Sequence, residues 1–176
     1  LYNINGAARA VEYKNPYLDP GVSENNDYVV SFNNKHLGLL SFSYFSKKIE
    51  GLIFSSGQRY ITDPSLYGLP GFTEKYRIND YKANNPYVVN LDGFEIDYQT
   101  RFWYLPKLLR GLVFNANYTR TNSEVKYPRT VIETKVIFDP SFKVVTLNLD
   151  RLYIDRLLDQ TRDNINLSLG YDYKGF

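Results

Sequence analysis

The chain has 176 residues, enough for one ordinary core, and 16% of them are aromatic: 17 Tyr, 11 Phe and a single Trp. A net charge of +2, with no basic run longer than Lys47-Lys48, speaks against nucleic acid as a partner. The lack of cysteine excludes disulfides, thiolate chemistry and Cys-ligated metals. No stretch approaches 18 consecutive apolar residues, which excludes transmembrane helices but not transmembrane strands, whose signal per segment is weak.

The first six residues carry no Met start, no basic n-region and no apolar h-region, so no targeting signal is visible. For an outer-membrane protein the natural N-terminus would then lie upstream. A strand remnant is expected within residues 1–11. Residues 24–33 read as a strand with Tyr28, Val30 and Phe32 on its apolar face, closed by the turn signal Asn33-Asn34-Lys35-His36. The next strand is expected over 38–54. Its first half sets Leu40, Phe42 and Tyr44 against Ser41 and Ser43, and its second half loses the alternation.

Residues 55–90, punctuated by Gly57, Pro64, Gly68, Pro70, Gly71 and Pro86, read as a long loop. Alternation is clearest over 94–104. Phe94, Ile96, Tyr98, Thr100, Phe102 and Tyr104 form a greasy face, and Glu95, Asp97, Gln99 and Arg101 form a wet one. A short connection near residue 107 leads to a strand over 111–123 with Leu112, Phe114, Ala116 and Tyr118 on one side and Asn115, Asn117 and Thr119 on the other. Residues 124–162 read as a second long loop, broken by Pro128 and Asp139-Pro140. The last strand, 164–173, sets Ile165, Leu167, Leu169, Tyr171 and Tyr173 against Asn166, Ser168, Gly170 and Asp172, and ends at the turn-like Lys174-Gly175; the terminal Phe176 carries no meaning in this register.

Short turns thus alternate with long loops, the asymmetry of bacterial outer-membrane barrels, whereas connections beyond about 15 residues are uncommon in compact soluble domains. A greasy band about 25 Å tall, crossed at a tilt of about 40°, needs roughly 10 residues, which 94–104 supplies. Phe102, Trp103 and Tyr104 then fall where an interfacial aromatic girdle would sit. The strands are too few to close a barrel, since the smallest has about eight, so the chain is expected to be a piece of a larger one.

The segment Asn15-Pro16-Tyr17-Leu18-Asp19-Pro20, followed by Glu24-Asn25-Asn26-Asp27-Tyr28, resembles the segment entering a late barrel strand of TonB-dependent outer-membrane receptors. Residues 39–49, Gly93-Phe94-Glu95, 115–119 and 166–171 are similar to that family's successive strands, in the same order. Asn26-Asp27 departs from the family's Asn-Tyr-Asp, and no TonB box, plug or C-terminal barrel strand is present in this sequence. The resemblance implies an all-β fold: antiparallel transmembrane strands from a barrel of about 22 strands, with residues 1–176 as part of that one domain and extracellular loops near 55–90 and 124–162. It also implies location in the cell outer membrane, contact with its lipid bilayer, and a TonB complex engaged through N-terminal residues outside this sequence. The function implied is import of a scarce nutrient such as a siderophore, vitamin or oligosaccharide. A passive porin-type channel and a soluble β-sheet domain that binds glycans are the alternatives.

No catalytic constellation is legible, and neither an enzymatic activity, a metal nor a cofactor is expected. His36 has no second His or Cys nearby and reads as a solvated turn residue. Glu95 and Asp97 share a face as a glycosidase pair must, yet beside Gln99 and Arg101 they read better as lumen lining, with Asn115, Asn117 and Thr119 on the next strand. Asp150, Asp155 and Asp159, with Arg151 and Arg156 between them, fit no calcium loop and read as the hydrated face of a strand extension or short helix. Loop residues expected to meet a solute are Tyr60, Tyr67, Phe72, Tyr76, Arg77 and Tyr81 in the first loop and Tyr127, Arg129 and Arg151 in the second; packing of the loop is the expected role of most of these aromatics.

Overall fold

The computed structural model describes residues 2–138 and 140–172. It is all-β, with strands in antiparallel sheets, three short 3-10 turns and one brief parallel contact. Among the described residues no helix is long and apolar enough to cross a membrane. In chain order the strands are β1 (Tyr2–Asn5), β2 (Ala10–Tyr13), β3 (Val22–Asn34), β4 (Gly38–Glu50), β5 (Ile53–Ser55) and β6 (Arg59–Tyr60). They continue with β7 (Arg77–Ile78), β8 (Lys82–Asn84), β9 (Val89–Arg101), β10 (Leu112–Phe138), β11 (Phe142–Asp155) and β12 (Asp163–Tyr171). The chain divides into two compact units. One takes residues up to Val22, Ile49–Val89 and Val125–Asp155; the other takes Ser23–Lys48, Asn90–Glu124 and the described residues from Arg156 on.

The second unit is an antiparallel meander in the order β3-β4-β9-β10-β12. Its strands form where the sequence alternates, and β3, β4 and β9 each run 13 residues. The β3–β4 turn is set by Asn34, whose side-chain oxygen accepts the N–H groups of His36 and Leu37 at 2.9 and 3.3 Å. Gly38 follows at φ +86°, and a Cβ there would meet the Gln99 carbonyl oxygen at 2.2 Å, so only glycine fits. In an up-and-down meander the short connections, 35–37 and 102–111, share one end, and the connections 51–88 and 121–162 leave from the other.

The first unit gives the region expected to be a loop at 55–90 a structure of its own. β1 and β2 form a hairpin, and the sheet continues through β7 to β6, in the order β1-β2-β7-β6. β5 pairs with β8. Val11, Tyr13, Ile61, Leu69 and Ile78 make a small core, with Ile4, Tyr67, Tyr76 and Tyr81 packed on it. Alternation failed to signal this because its strands are only two to four residues long, too short for a period to register.

The second expected loop is also built differently. β10 runs on from its pairing with β12 into a ladder with β11, from Val125 opposite Asp155 to Phe138 opposite Phe142. Much of 124–162 is therefore a hairpin arm, favoured by the β-branched run from Thr130 to Ile137. Pro128 stands inside this ladder opposite Leu152. It is tolerated because that part of β10 has a ladder partner along β11 alone. Between the pairs Arg120–Asp163 and Val125–Asp155 the returning chain holds seven residues, 156–162, against four of β10, 121–124. The strand expected over 38–54 ends at Glu50, where Gly51 takes φ +65°, and the one expected to reach Tyr104 ends at Arg101. Asp139 of the expected Asp139-Pro140 break, Tyr173 of the last strand, the Lys174-Gly175 turn, Phe176 and Leu1 lie outside the described residues.

Candidate functional site

Register places Glu95, Asp97, Gln99 and Arg101 on one face of the meander with Asn115, Asn117 and Thr119, since Thr119 stands opposite Glu95, Asn117 opposite Asp97 and Asn115 opposite Gln99. All seven residues expected to line a lumen therefore share a face, joined by Asn166 and Ser168 of β12. Asn117 is the hub. Its Nδ2 donates to a carboxylate oxygen of Glu95 at 2.5 Å and of Asp97 at 2.9 Å, and its Oδ1 accepts from the Thr119 hydroxyl and the Asn166 amide at 3.4 Å. Two carboxylates turned towards one amide are held as a polar wall, each with lone pairs to spare. Arg101 pairs with Asp172 at 2.6 Å, and the Ser31 and Ser41 hydroxyls bond at 2.9 Å further along the sheet. Apolar residues stand on this face too, among them Val29, Leu39, Phe45, Leu91 and Val113.

The opposite face is apolar and uncovered. Tyr28, Val30 and Phe32 of β3, Leu40, Phe42 and Tyr44 of β4, Ile96 of β9, and Ile165, Leu167, Leu169 and Tyr171 of β12 are all exposed, Leu167 at 71%. Aromatic pairs run across it: Tyr28 with Tyr44, Phe42 with Phe94, Phe94 with Tyr118 and Tyr98 with Phe114. At the end with short connections, His36 packs 5.3 Å from Trp103 and 5.7 Å from Tyr104, Lys35 lies over the indole, and the indole N–H donates to the Lys35 carbonyl at 2.9 Å. His36 is thus part of an aromatic cluster, which its place in a polar turn did not signal.

The loop residues separate into packing and accessible groups. Tyr127 is 2% exposed against Phe54, so the expectation that it meets a solute is corrected: it is a core side chain. Tyr67 and Tyr81 pack edge-on to each other, Tyr81 stacks on Tyr13, and Tyr76 packs on the same core. Burial lifts Tyr13 and Tyr67 above the ordinary tyrosine pKa, and Arg59 beside Tyr67 opposes part of that rise. Tyr60 is bound through its backbone: its N–H donates to Asn148 Oδ1 at 2.9 Å and its carbonyl accepts from Asn148 Nδ2 at 2.8 Å. Arg77, Arg129 and Arg151 are exposed, Arg129 lying over the Tyr153 ring and Arg151 paired with Glu133 at 2.8 Å. Phe72 is exposed at 66%.

Asp150, Arg151 and Asp155 lie on β11, so the strand extension holds over the short helix. Asp150 accepts from the Thr130 hydroxyl at 2.7 Å and pairs with Arg59 at 3.4 Å, a role in joining loop to arm that spacing alone did not suggest. Among the described residues no three His, Cys, Asp or Glu side chains converge as metal ligands.

The fold and these two faces define a chain of antiparallel sheets whose long-stranded meander is greasy on one side and hydrogen-bonded on the other. Comparison with protein-family models, with curated proteins and with solved structures gives no match to this chain.

Proposed function

We propose that this chain forms part of the wall of a TonB-dependent transporter barrel in a bacterial outer membrane, a protein that imports a scarce nutrient such as a siderophore, vitamin or oligosaccharide. The observation that carries this is the division of the β3-β4-β9-β10-β12 meander into an exposed apolar face and a face knit by Asn117, Glu95 and Asp97. A transmembrane barrel needs lipid-facing apolar residues alternating with a polar lumen wall. A sheet in water with the same pattern would leave the entire apolar stripe solvated, and a contiguous exposed apolar patch of this kind marks an interaction or membrane surface. Strands of 13 residues exceed the roughly 10 that a tilted crossing requires, and both outer strands, β3 and β12, offer an edge for further strands. The plug and the contact with TonB belong to parts of the protein outside these residues.

The test is a pair of substitutions in the complete protein folded into lipid vesicles. Tyr98→Arg, on the apolar face of β9, is expected to destabilise by about 2 to 4 kcal/mol if that residue lies near the bilayer midplane, and Gln99→Arg, its neighbour on the polar face, by less than about 1 kcal/mol. Equal tolerance of the two would remove the membrane reading. Uptake that persists in cells lacking TonB would leave the barrel standing and make it a passive channel.

A further inference from the structure

A cleft of about 670 Å³ opens in the first unit, within the size range of small-molecule sites. One wall is the end of β2 and the chain that follows it, and the other is the β7–β8 connection with the start of β8. Their spacing is fixed by bonds between segments far apart in sequence. β2 pairs with β7 through Ala10–Arg77 and Val11–Ile78, and the Asn15 side-chain amide donates to the Lys82 carbonyl at 3.0 Å. Asn84 then holds the strand leaving the cleft, accepting from the Asp19 N–H at 2.9 Å and donating to its carbonyl at 2.7 Å. Beneath lies Tyr13, 6% exposed and stacked on Tyr81 with ring planes 10° apart. Such a cleft is built from the core outward.

Each wall presents the same pair, a carboxylate and a lysine two residues later: Glu12 with Lys14, and Asp80 with Lys82. All four are exposed, and none joins an ion pair among the described residues. A bare anion entering here would meet two carboxylates, and a bare cation two ammonium groups. A neutral polyol would leave all four charges unused. The ligand that uses the whole set is one bearing both signs, separated by a few bonds.

We infer that this cleft binds a small zwitterion of the amino-acid or short-peptide class, its carboxylate drawn to Lys14 and Lys82 and its ammonium to Glu12 and Asp80. The inference names a solute class for the transport reading and rests on that reading only for the direction in which the solute moves. Binding itself requires neither a bilayer nor an energy source, so it can fail or succeed independently of the Tyr98 and Gln99 comparison.

The experiment is isothermal titration of the full chain in detergent, its β2 and β7 amides first shown to be protected from exchange. The probes are tri-alanine, N-acetyl-tri-alanine amide, maltotriose and acetate. Saturable binding of tri-alanine at millimolar concentration or tighter is expected, at least about 10-fold weaker for the blocked peptide, maltotriose and acetate, and weakened by added salt. Asp80→Asn and Lys82→Gln should each weaken tri-alanine by about 2- to 5-fold, the range of exposed charge pairs, and being surface changes they leave the fold intact. Equal binding of the blocked peptide or of maltotriose, binding of acetate as tight as tri-alanine, or no saturable heat from the folded chain would each overturn the assignment.

Discussion

At Gly93 the polar face of β9 has no room for a side chain. A Cβ there would lie 2.3 Å from the Arg120 carbonyl oxygen and 2.4 Å from the Phe45 ring, so the glycine is what lets that ring lie on the strand. Gly93→Ala should therefore destabilise the second unit by about 1 to 3 kcal/mol, the usual cost of overpacking, seen as a lower denaturant midpoint at unchanged slope. The double change Gly93→Ala with Phe45→Ala, which removes one of the two clashing groups, should recover part of that loss; no recovery would mean the Arg120 carbonyl alone sets the limit. The Gly-Phe-Glu opening was visible in the sequence, but its reason was not, because the ring that needs the space comes from another strand. Tyr13 and Tyr67 give a second expectation of the same scale. Their pKa values are raised by burial above 10.0, so the hydroxyls stay neutral in the fold after those of the unfolded chain ionise. Their contribution is complete below pH about 10 and is lost as pH climbs through the folded values. In an alkaline titration read by tyrosinate absorbance, these two should ionise only above the ordinary tyrosine range, with the first unit losing stability as they do. Ionisation of Tyr13 and Tyr67 at the ordinary value would contradict the buried placement.

Among elements, the long strands were legible because their alternation runs for ten residues or more, and β3, β9 and β12 fall within a few residues of where the pattern puts them. The arm and the β1-β2-β7-β6 sheet were not. Pro128 reads as a breaker when the partner strand is unknown, and two-residue strands such as β6 and β7 exist only because distant chain pairs with them. Asn148 shows how such chain is held. Its side-chain amide takes both hydrogen-bonding groups of Tyr60, replacing the neighbour strand that β6 lacks on that side, while Thr130 N–H bonds the Ser56 carbonyl at 2.8 Å nearby. Asn148→Ala should leave the Tyr60 N–H and carbonyl without these partners, costing about 1 to 3 kcal/mol and speeding amide exchange at Tyr60. Asn148→Asp, which keeps an acceptor for the N–H but loses the donor, should fall between. Exchange at Tyr60 unchanged by either substitution would show that this amide clamp does not hold the segment.

For the whole molecule, the edges of the meander bear on the choice between readings as its two faces do. β9 has β4 on one side and β10 on the other, so its N–H groups are used in both directions, whereas β3 and β12 are each paired along one side among the described residues. In an antiparallel ladder alternate N–H groups point to opposite sides, so every second amide of each edge strand faces outward with no strand to receive it. β3 is moreover exposed on both faces along its full length, with Tyr28, Val30 and Phe32 among the residues laid open. A long apolar edge of this kind invites pairing. On the barrel reading its partner is a further strand of the same wall, and closure removes the edge altogether. Amide exchange in this 176-residue chain in detergent is therefore expected to be slow throughout β9 and fast at alternate positions of β3 and β12. On that reading the same alternate amides should become slow in a complete barrel, because the adjoining strands would then receive them. If they exchange as fast in the complete protein as in the chain alone, β3 and β12 are true edges, the sheet is open, and the apolar face must be covered by something other than a barrel's surrounding lipid.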